Sequence, residues 1–127
     1  MKKILIFCLA YCFLTSIVNA KVATVTNDVF LKVKSSSAQD YEKNFEEILK
    51  PYILGVADSF MTANAYLRMN SKKEIFCLPS NLGLNVENYM RFASEQIEED
   101  KKNNKFDERQ PLSITILIRL ISIFPCK

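Results

Sequence analysis

Histidine is absent from the 127-residue sequence, which contains 14 acidic and 17 basic residues. Without histidine, neither a Ser-His-Asp triad nor a cysteine–histidine pair can form. The acidic residues show no paired motif for acid–base catalysis, and no glycine-rich loop is present that could hold phosphates. Asp58 is the one carboxylate near an apolar helix face, and a surface or helix-end role explains it better than catalysis does. We therefore expect a protein that is not an enzyme and that binds no metal and no cofactor.

Glycine is also scarce, because Gly55 and Gly83 are its only two occurrences. This scarcity argues against an all-β fold rich in turns. From residue 37 onwards, apolar side chains recur at helical spacing. The sequence predicts an all-α fold, a small bundle of about four helices with one disulfide, in a single domain over residues 21–127.

Several local signals predict where these helices begin and end. Ser37 followed by Asp40 is a plausible N-terminal cap, and Asn85 is a cap for a later helix. Pro51 should stop or kink the helix that Ser37 opens, and it suits the first turn of the next helix, which runs to about Met69. Residues 21–36 are compatible with either a frayed arm or a short helix that begins near Asn27.

The last segment, Leu112 to Phe124, is rich in isoleucine and could be a strand on propensity alone. However, the spacing of Thr115, Arg119 and Ser122 places these polar residues on one face of a helix, whereas a strand would separate them. Pro111 also suits the first turn of a helix. We predict a buried helix with one narrow polar stripe.

The first 20 residues have the pattern of a secretory signal peptide. Lys2 and Lys3 precede an apolar run over 4–18, and Val18-Asn19-Ala20 is a plausible cleavage site. A retained membrane anchor is the alternative, but the run is shorter than the roughly 20 residues that a spanning helix needs. We expect export to the periplasm and no membrane association after cleavage. Loss of Lys2 and Lys3 leaves 15 basic against 14 acidic residues, so the charge gives no support to nucleic-acid binding.

Export determines how the four cysteines are interpreted. Cys8 and Cys12 leave with the signal peptide, so Cys77 and Cys126 are the two that reach an oxidising compartment. We predict that they form a disulfide, with a pair of buried free thiols as the alternative. Closing a loop of this length contributes about 4 kcal/mol to stability on the chain-entropy model.

Residues 95–109 are almost wholly charged or amide-bearing, with Ile97 and Phe106 as the exceptions. Such a stretch is usually a solvated face, but an aromatic ring surrounded by polar groups is also typical of an interface anchor. The core of the domain explains an isolated Phe106 poorly, which favours the second interpretation. The candidate partner-binding residues are Glu95, Glu98, Glu99, Asn103, Phe106, Asp107, Glu108 and Arg109.

Three elements in order give the chain a resemblance to a known family. They are Tyr52-Ile53-Leu54-Gly55-Val56-Ala57-Asp58, Phe76-Cys77-Leu78-Pro79 and the terminal Phe124-Pro125-Cys126. The chain resembles the Tai (resistance-associated) immunity proteins of type VI secretion over residues 40–126. That resemblance implies a periplasmic all-α protein, a homodimer, that binds and blocks a peptidoglycan amidase effector.

Within this resemblance the motif residues have structural roles. Pro79 and Pro125 fix the backbone beside each sulfur, Gly55 lets another helix approach closely, and Tyr52 buries its ring. Asp58 completes the motif on the second helix. Many relatives carry a further cysteine pair, but Leu49 and Pro51 occupy that neighbourhood here, so no second disulfide is expected.

A different class of function is also compatible with the size, the export signal and the single disulfide. A small periplasmic helical chaperone or stress protein would bind unfolded clients through exposed apolar surface. The two classes differ in their response to acid, because a chaperone of this kind exposes more apolar surface as the pH falls.

Overall fold

The computed structural model describes residues 24–127, so the predicted signal peptide lies outside the described residues. In chain order the elements are α1 (Asn27–Lys34), α2 (Ala38–Asn44), a π-helical turn (Phe45–Leu49), α3 (Lys50–Met69), α4 (Val86–Lys102) and α5 (Leu112–Ile123). The elements α2, the π-helical turn and α3 are continuous and count as one long helix. Together with α1, α4 and α5 this makes four helices in the described residues. Residues 24–127 contain no strand, and their β-type pairing is one isolated bridge between Thr26 and Pro111. The predicted small all-α bundle is confirmed.

Pro51 does not stop the long helix. The helix continues from α2 into α3 through the π-helical turn, in which the Lys50 N–H donates to the carbonyl of Phe45. Proline has no N–H to donate, and its ring clashes with the carbonyl four residues earlier in a regular α-helix. The wider turn directly before Pro51 relieves that conflict.

The two predicted caps are confirmed. The Ser37 hydroxyl accepts a hydrogen bond from the Asp40 N–H at the start of α2. Asn85 and Asn88 form a reciprocal capping box at the start of α4, with bonds of 2.9 and 3.0 Å. Polar side chains that satisfy the first N–H groups of a helix set its starting point.

Of the two possibilities for the N-terminal segment, the structure shows the helix. Residues just before and within α1 are bound to the loop between α4 and α5: Asn27 N–H donates to the Gln110 carbonyl and Asp28 N–H to the Glu108 carbonyl, each at 3.0 Å. The Leu112 N–H donates back to the carbonyl of Val25 at 2.9 Å. These bonds satisfy helix-terminal groups of both α1 and α5, and they join parts of the chain that are far apart in sequence.

The core lies where α4 meets α5, with α1 and the inner side of α3 packed around it. The largest fully buried apolar side chains are Phe30, Leu49, Ile53, Phe76, Ile97, Leu112, Ile116 and Leu120. Phe76, in the loop after α3, packs edge-on against Phe60 with ring centroids 6.4 Å apart. This loop therefore carries part of the core that connects α3 to the rest of the bundle.

The terminal segment is a helix, as predicted, but the expectation that it is buried is only half correct. Its inner face is buried, and Thr115 there donates a hydrogen bond of 2.8 Å to the Asn27 side chain. On the opposite face Ile114, Ile118 and Ile121 are exposed. The helix is apolar on both sides, and one side has no cover from the part of the chain that the structure describes.

The disulfide between Cys77 and Cys126 is present, with Cα atoms 5.0 Å apart. Beside it the Cys77 N–H donates to the Phe124 carbonyl at 2.8 Å. The covalent bond and this hydrogen bond together hold the loop after α3 against the end of α5. Among residues 24–127, none of the helices combines the length and apolar character that crossing a bilayer requires.

Candidate functional site

The candidate surface begins with a set of ion pairs between α4 and α5. Arg119 on α5 donates to Glu95 on α4 through Nε and Nη2, at 3.2 and 2.8 Å, and to Glu99 through Nη1 at 3.1 Å. The three side chains come together because Glu95 and Glu99 lie four residues apart on the face of α4 that borders α5. The Arg119 side chain is about three-quarters buried, which favours a fixed geometry over a loose surface pair.

Further out, the charged side chains of α4 are more exposed. Glu98 accepts from Lys101 at 3.2 Å, a surface pair three residues apart on the helix. Glu95, Glu98, Glu99 and Arg119 line an open groove of about 450 Å³ along the seam between α4 and α5. Because each carboxylate in this groove has a cation beside it, the surface is charged but close to neutral overall.

The end of α4 is turned sharply back towards the bundle. Asn104 has a positive φ of 55°, a conformation that asparagine tolerates better than most residues and that often follows the last turn of a helix. The Lys105 N–H then donates to the Asp100 carbonyl at 2.8 Å, and the Asn103 N–H to the Glu99 carbonyl at 3.0 Å. The candidate residue Asn103 thus lies at a well-defined helix end.

The reason for regarding Phe106 as an interface anchor is wrong. Its ring is half-buried and packs against the core cluster, so the core does explain it. The ammonium of Lys101, a residue of α4, lies 5.4 Å from the centroid of the Phe106 ring. Sequence reasoning missed this contact because the polar neighbours of Phe106 in the chain are not its neighbours in space. The ring holds the loop after α4 down on the bundle.

The remaining loop candidates are fixed in place by α1. The Asn27 side-chain amide donates to the Asp107 carbonyl at 3.0 Å, and the Asp28 N–H binds the carbonyl of Glu108. The Asp107 carboxylate accepts the N–H of Arg109 at 2.9 Å. The carboxylate of Glu108 and the guanidinium of Arg109 belong to exposed residues. The candidates therefore lie on the C-terminal half of α4 and the loop that follows it, an edge (residues 95–109) that contacts α5 through Glu95 and Glu99 and α1 through residues 107 and 108.

Two buried amides that sequence reasoning missed hold loops of the bundle in place: Asn27 the loop after α4, and Asn64 the loop after α3. Asn27 and Asn64 are both buried. Asn64, on α3, donates to the Phe76 carbonyl at 2.7 Å and accepts from the Ile75 N–H at 2.9 Å. The position of Asn64 in the sequence could have indicated its burial, since Asn64 falls on the same helical face as the apolar Ile53. A lone amide on an apolar face usually satisfies backbone groups that would otherwise be buried without partners.

The motif residues of α3 differ from expectation at one position. Tyr52 is half-buried and packs against the core, while Asp58 is exposed. The expectation that Gly55 admits another helix is wrong within the described chain, because a Cβ atom added at Gly55 would meet nothing within 4 Å. Pro79 and Pro125 are exposed beside the disulfide.

Two pKa values are displaced among residues 24–127: that of Tyr89 is raised by burial, and that of Asp28 is lowered chiefly by a hydrogen bond from Thr26. Within the same residues no three histidine, cysteine or acidic side chains gather into a cluster that could hold a metal ion. No protein-family model, no curated protein and no solved structure matches the chain.

Proposed function

We propose that this protein is an exported immunity protein that binds a peptidoglycan amidase effector of type VI secretion in the periplasm and blocks its active site. The observation that carries the proposal is the disulfide from Cys77 to Cys126, which joins two of the three elements on which the resemblance to Tai proteins rests. A disulfide of this kind also supports an oxidising compartment as the site of function.

The proposed docking surface is the edge formed by the outer side of α4 and residues 103–109. Its loop is already held by α1 and by the ring of Phe106, so little conformational entropy is lost on binding. Inhibition needs only that this edge covers a catalytic cleft and excludes substrate. Exposed carboxylates such as Glu98 and Glu108 would meet a basic rim on the effector and mainly increase the rate of association.

Charge reversal tests this surface without disturbing the core. Glu98→Lys combined with Glu108→Lys changes two exposed side chains, whereas replacing Phe106 would also remove packing. We expect association with the cognate amidase effector to slow by about tenfold or more at low salt, with weaker inhibition of peptidoglycan hydrolysis. The matched control is Glu47→Lys, an exposed charge reversal just before α3.

The possible results of this experiment distinguish a wrong docking surface from a wrong function. Unchanged inhibition by the double variant would move the docking site elsewhere on the molecule. Failure of the wild-type protein to bind or inhibit any exported peptidoglycan amidase would overturn the proposed function itself. Circular dichroism of each variant shows whether the helices are intact.

The exposed apolar side chains on α3 and α5 favour one second candidate, a periplasmic helical chaperone. Met61, Met69, Ile114 and Ile118 are all exposed, and such surface can bind unfolded clients. A titration with a fluorescent dye that binds apolar surface, from pH 7 to pH 3, distinguishes the two. A chaperone should show rising dye binding together with suppression of client aggregation, whereas an inhibitor keeps one surface throughout.

A further inference from the structure

Beneath the loop after α4, three polar side chains form a relay that leads from the loop through α5 to α1. Gln110 Nε2 donates to the Thr115 hydroxyl, and that hydroxyl donates to Asn27 Oδ1, both at 2.8 Å. The Asn27 amide then donates back to the loop, at the carbonyl of Asp107, at 3.0 Å. Asn27 is 1% exposed and Thr115 is fully buried. A buried hydroxyl that accepts from one amide and donates to another fixes the orientation of both.

The same loop supplies the cap of α1. Thr26 stands at the N-cap position of α1, but its side chain makes no capping hydrogen bond. The carbonyls of Gln110 and Glu108 take that role, because they accept the N–H groups of Asn27 and Asp28 at 3.0 Å each. The first N–H groups of a helix need partners from outside the helix. The start of α1 and the loop therefore depend on each other.

The second half of the loop, residues 107–110, has little internal support. Asp107 accepts both hydrogen bonds that these residues make among themselves, from the Arg109 N–H at 2.9 Å and from the Gln110 N–H at 3.3 Å. The ring of Phe106 attaches the first half of the loop to the core cluster. The conformation of the second half is therefore set by its contacts with α1 and by the relay.

We propose that Asn27 and Thr115 are positioning residues for docking, which hold the loop in the conformation that the effector meets. The inference rests on the proposed function, because it assigns the regulation of the same docking edge. Both residues are buried, so they act through the loop and do not touch a partner. The relay makes residues 25–28 and 107–111 one cooperative unit, which is closed when the loop caps α1 and open when it does not.

This coupling has a consequence on the far side of the loop from any partner. An effector that binds the closed form shifts the equilibrium towards it. By linkage, a partner on the exposed side of the loop, at Glu108 and Arg109, must also stabilise the buried start of α1. The apparent dissociation constant then rises by the factor by which the closed fraction falls.

Amide hydrogen exchange of the mature chain, followed by NMR, tests the relay without an effector. Thr115→Val keeps the shape of the side chain but removes the hydroxyl on which Asn27 and Gln110 depend. Exchange of the Asp28 amide should accelerate by at least about tenfold relative to that of the Ile97 amide on α4. Thr115→Ser keeps the hydroxyl and should retain most of the protection.

A second pair of variants provides the matched control. Asn27→Ala and Asn64→Ala each remove a buried amide that donates to a loop carbonyl. Asn27→Ala should accelerate exchange of the Asp28 amide, whereas Asn64→Ala should act on the loop after α3 and leave that amide protected. If Thr115→Val fails to fold, Gln110→Ala replaces it, since Gln110 is half-buried and forms the outer end of the relay.

Binding of the cognate amidase effector gives the second readout. It should slow exchange of the Asp28 amide in the wild-type chain, which a merely structural role of the relay would not produce. Asn27→Ala removes the loop contact itself and should raise the dissociation constant by at least about tenfold. Thr115→Ser should bind within about twofold of the wild-type chain.

Unchanged exchange of the Asp28 amide in Thr115→Val would overturn the inference, whether or not an effector binds. So would an Asn27→Ala variant that exchanges fast at Asp28 but binds the effector as tightly as the wild-type chain does. Failure of the wild-type chain to bind any exported amidase would instead overturn the proposed function, and the exchange measurements would still decide whether the relay holds the loop.

Discussion

Helices α3 and α4 are of similar length but differ in the surface that they expose to solvent, which is mainly uncharged on α3 and charged on α4. Eight of the 17 residues of α4 are charged, against three of the 20 in α3. Six residues of α4 are buried and only two of α3 are. Helix α4 thus supplies both the core and a charged edge that is joined to α5 by the ion pairs of Arg119, whereas α3 leaves an apolar face uncovered by the described residues. A charged edge suits fast, salt-sensitive docking, and an apolar face suits a lasting contact.

The largest expected effect is the loss of the disulfide, which attaches the loop after α3 to the end of α5. Replacing both Cys77 and Cys126 by serine should lower the free energy of unfolding by about 4 kcal/mol. If α3 is the more weakly held helix, hydrogen exchange should accelerate in α3 more than in α4. Urea unfolding measures the first quantity and exchange mass spectrometry the second. Equal acceleration in both helices would show that the disulfide stabilises the bundle as a whole.

A pair of truncations tests the difference between the two helices directly. Ile97 is fully buried on α4, so Ile97→Ala should destabilise the protein by about 3 kcal/mol through lost burial and a residual cavity. Met61→Ala on the outer face of α3 is its matched control. Measured at a concentration where the chain is monomeric, it should change stability by less than about 0.5 kcal/mol. A cost for Met61→Ala that approaches that of Ile97→Ala would mean that part of the monomer covers the outer face of α3.

The sequence predicted those features that depend on nearby residues. The caps at Ser37 and Asn85 and the helical character of the last segment follow from spacing over a few positions. The disulfide was also predicted, because export leaves only two cysteines. At Pro51 the sequence allows either a stop or a kink, since it does not show that the helix widens in the turn before the proline.

The features that the sequence did not predict depend on contacts between distant parts of the chain. Asn27 holds the loop at Asp107, 80 residues away, and no local pattern reveals that contact. Phe106 was misjudged for the same reason, because its packing partners are not its neighbours in sequence. The open outer face of α5 was missed because an apolar helix is ordinarily assumed to be buried on all sides.

The smallest expected effect concerns the loop after α4, which α1 holds through Asn27 and Asp28. A hydrogen bond from the Thr26 hydroxyl, followed by the interaction with Lys32, holds the pKa of Asp28 below its ordinary value. A carboxylate whose pKa is lowered by folding stabilises the protein above its unfolded-state pKa, about 3.9, and this contribution is lost as the pH falls through the folded-state value.

Asp28→Asn should therefore destabilise the protein slightly at pH 7 and scarcely at all at pH 2.5, as measured by urea unfolding at both values. Acid should likewise lower the protection against hydrogen exchange, relative to the intrinsic exchange rate at the same pH, in the loop after α4 before it does so in α3, because Asp28 belongs to the helix that binds that loop. Lys32→Met is a useful companion variant, since it removes the interaction of Lys32 with the Asp28 carboxylate but leaves the hydrogen bond from the Thr26 hydroxyl in place. A destabilisation by Asp28→Asn that is the same at both pH values would show that the side chain acts through packing and not through its charge.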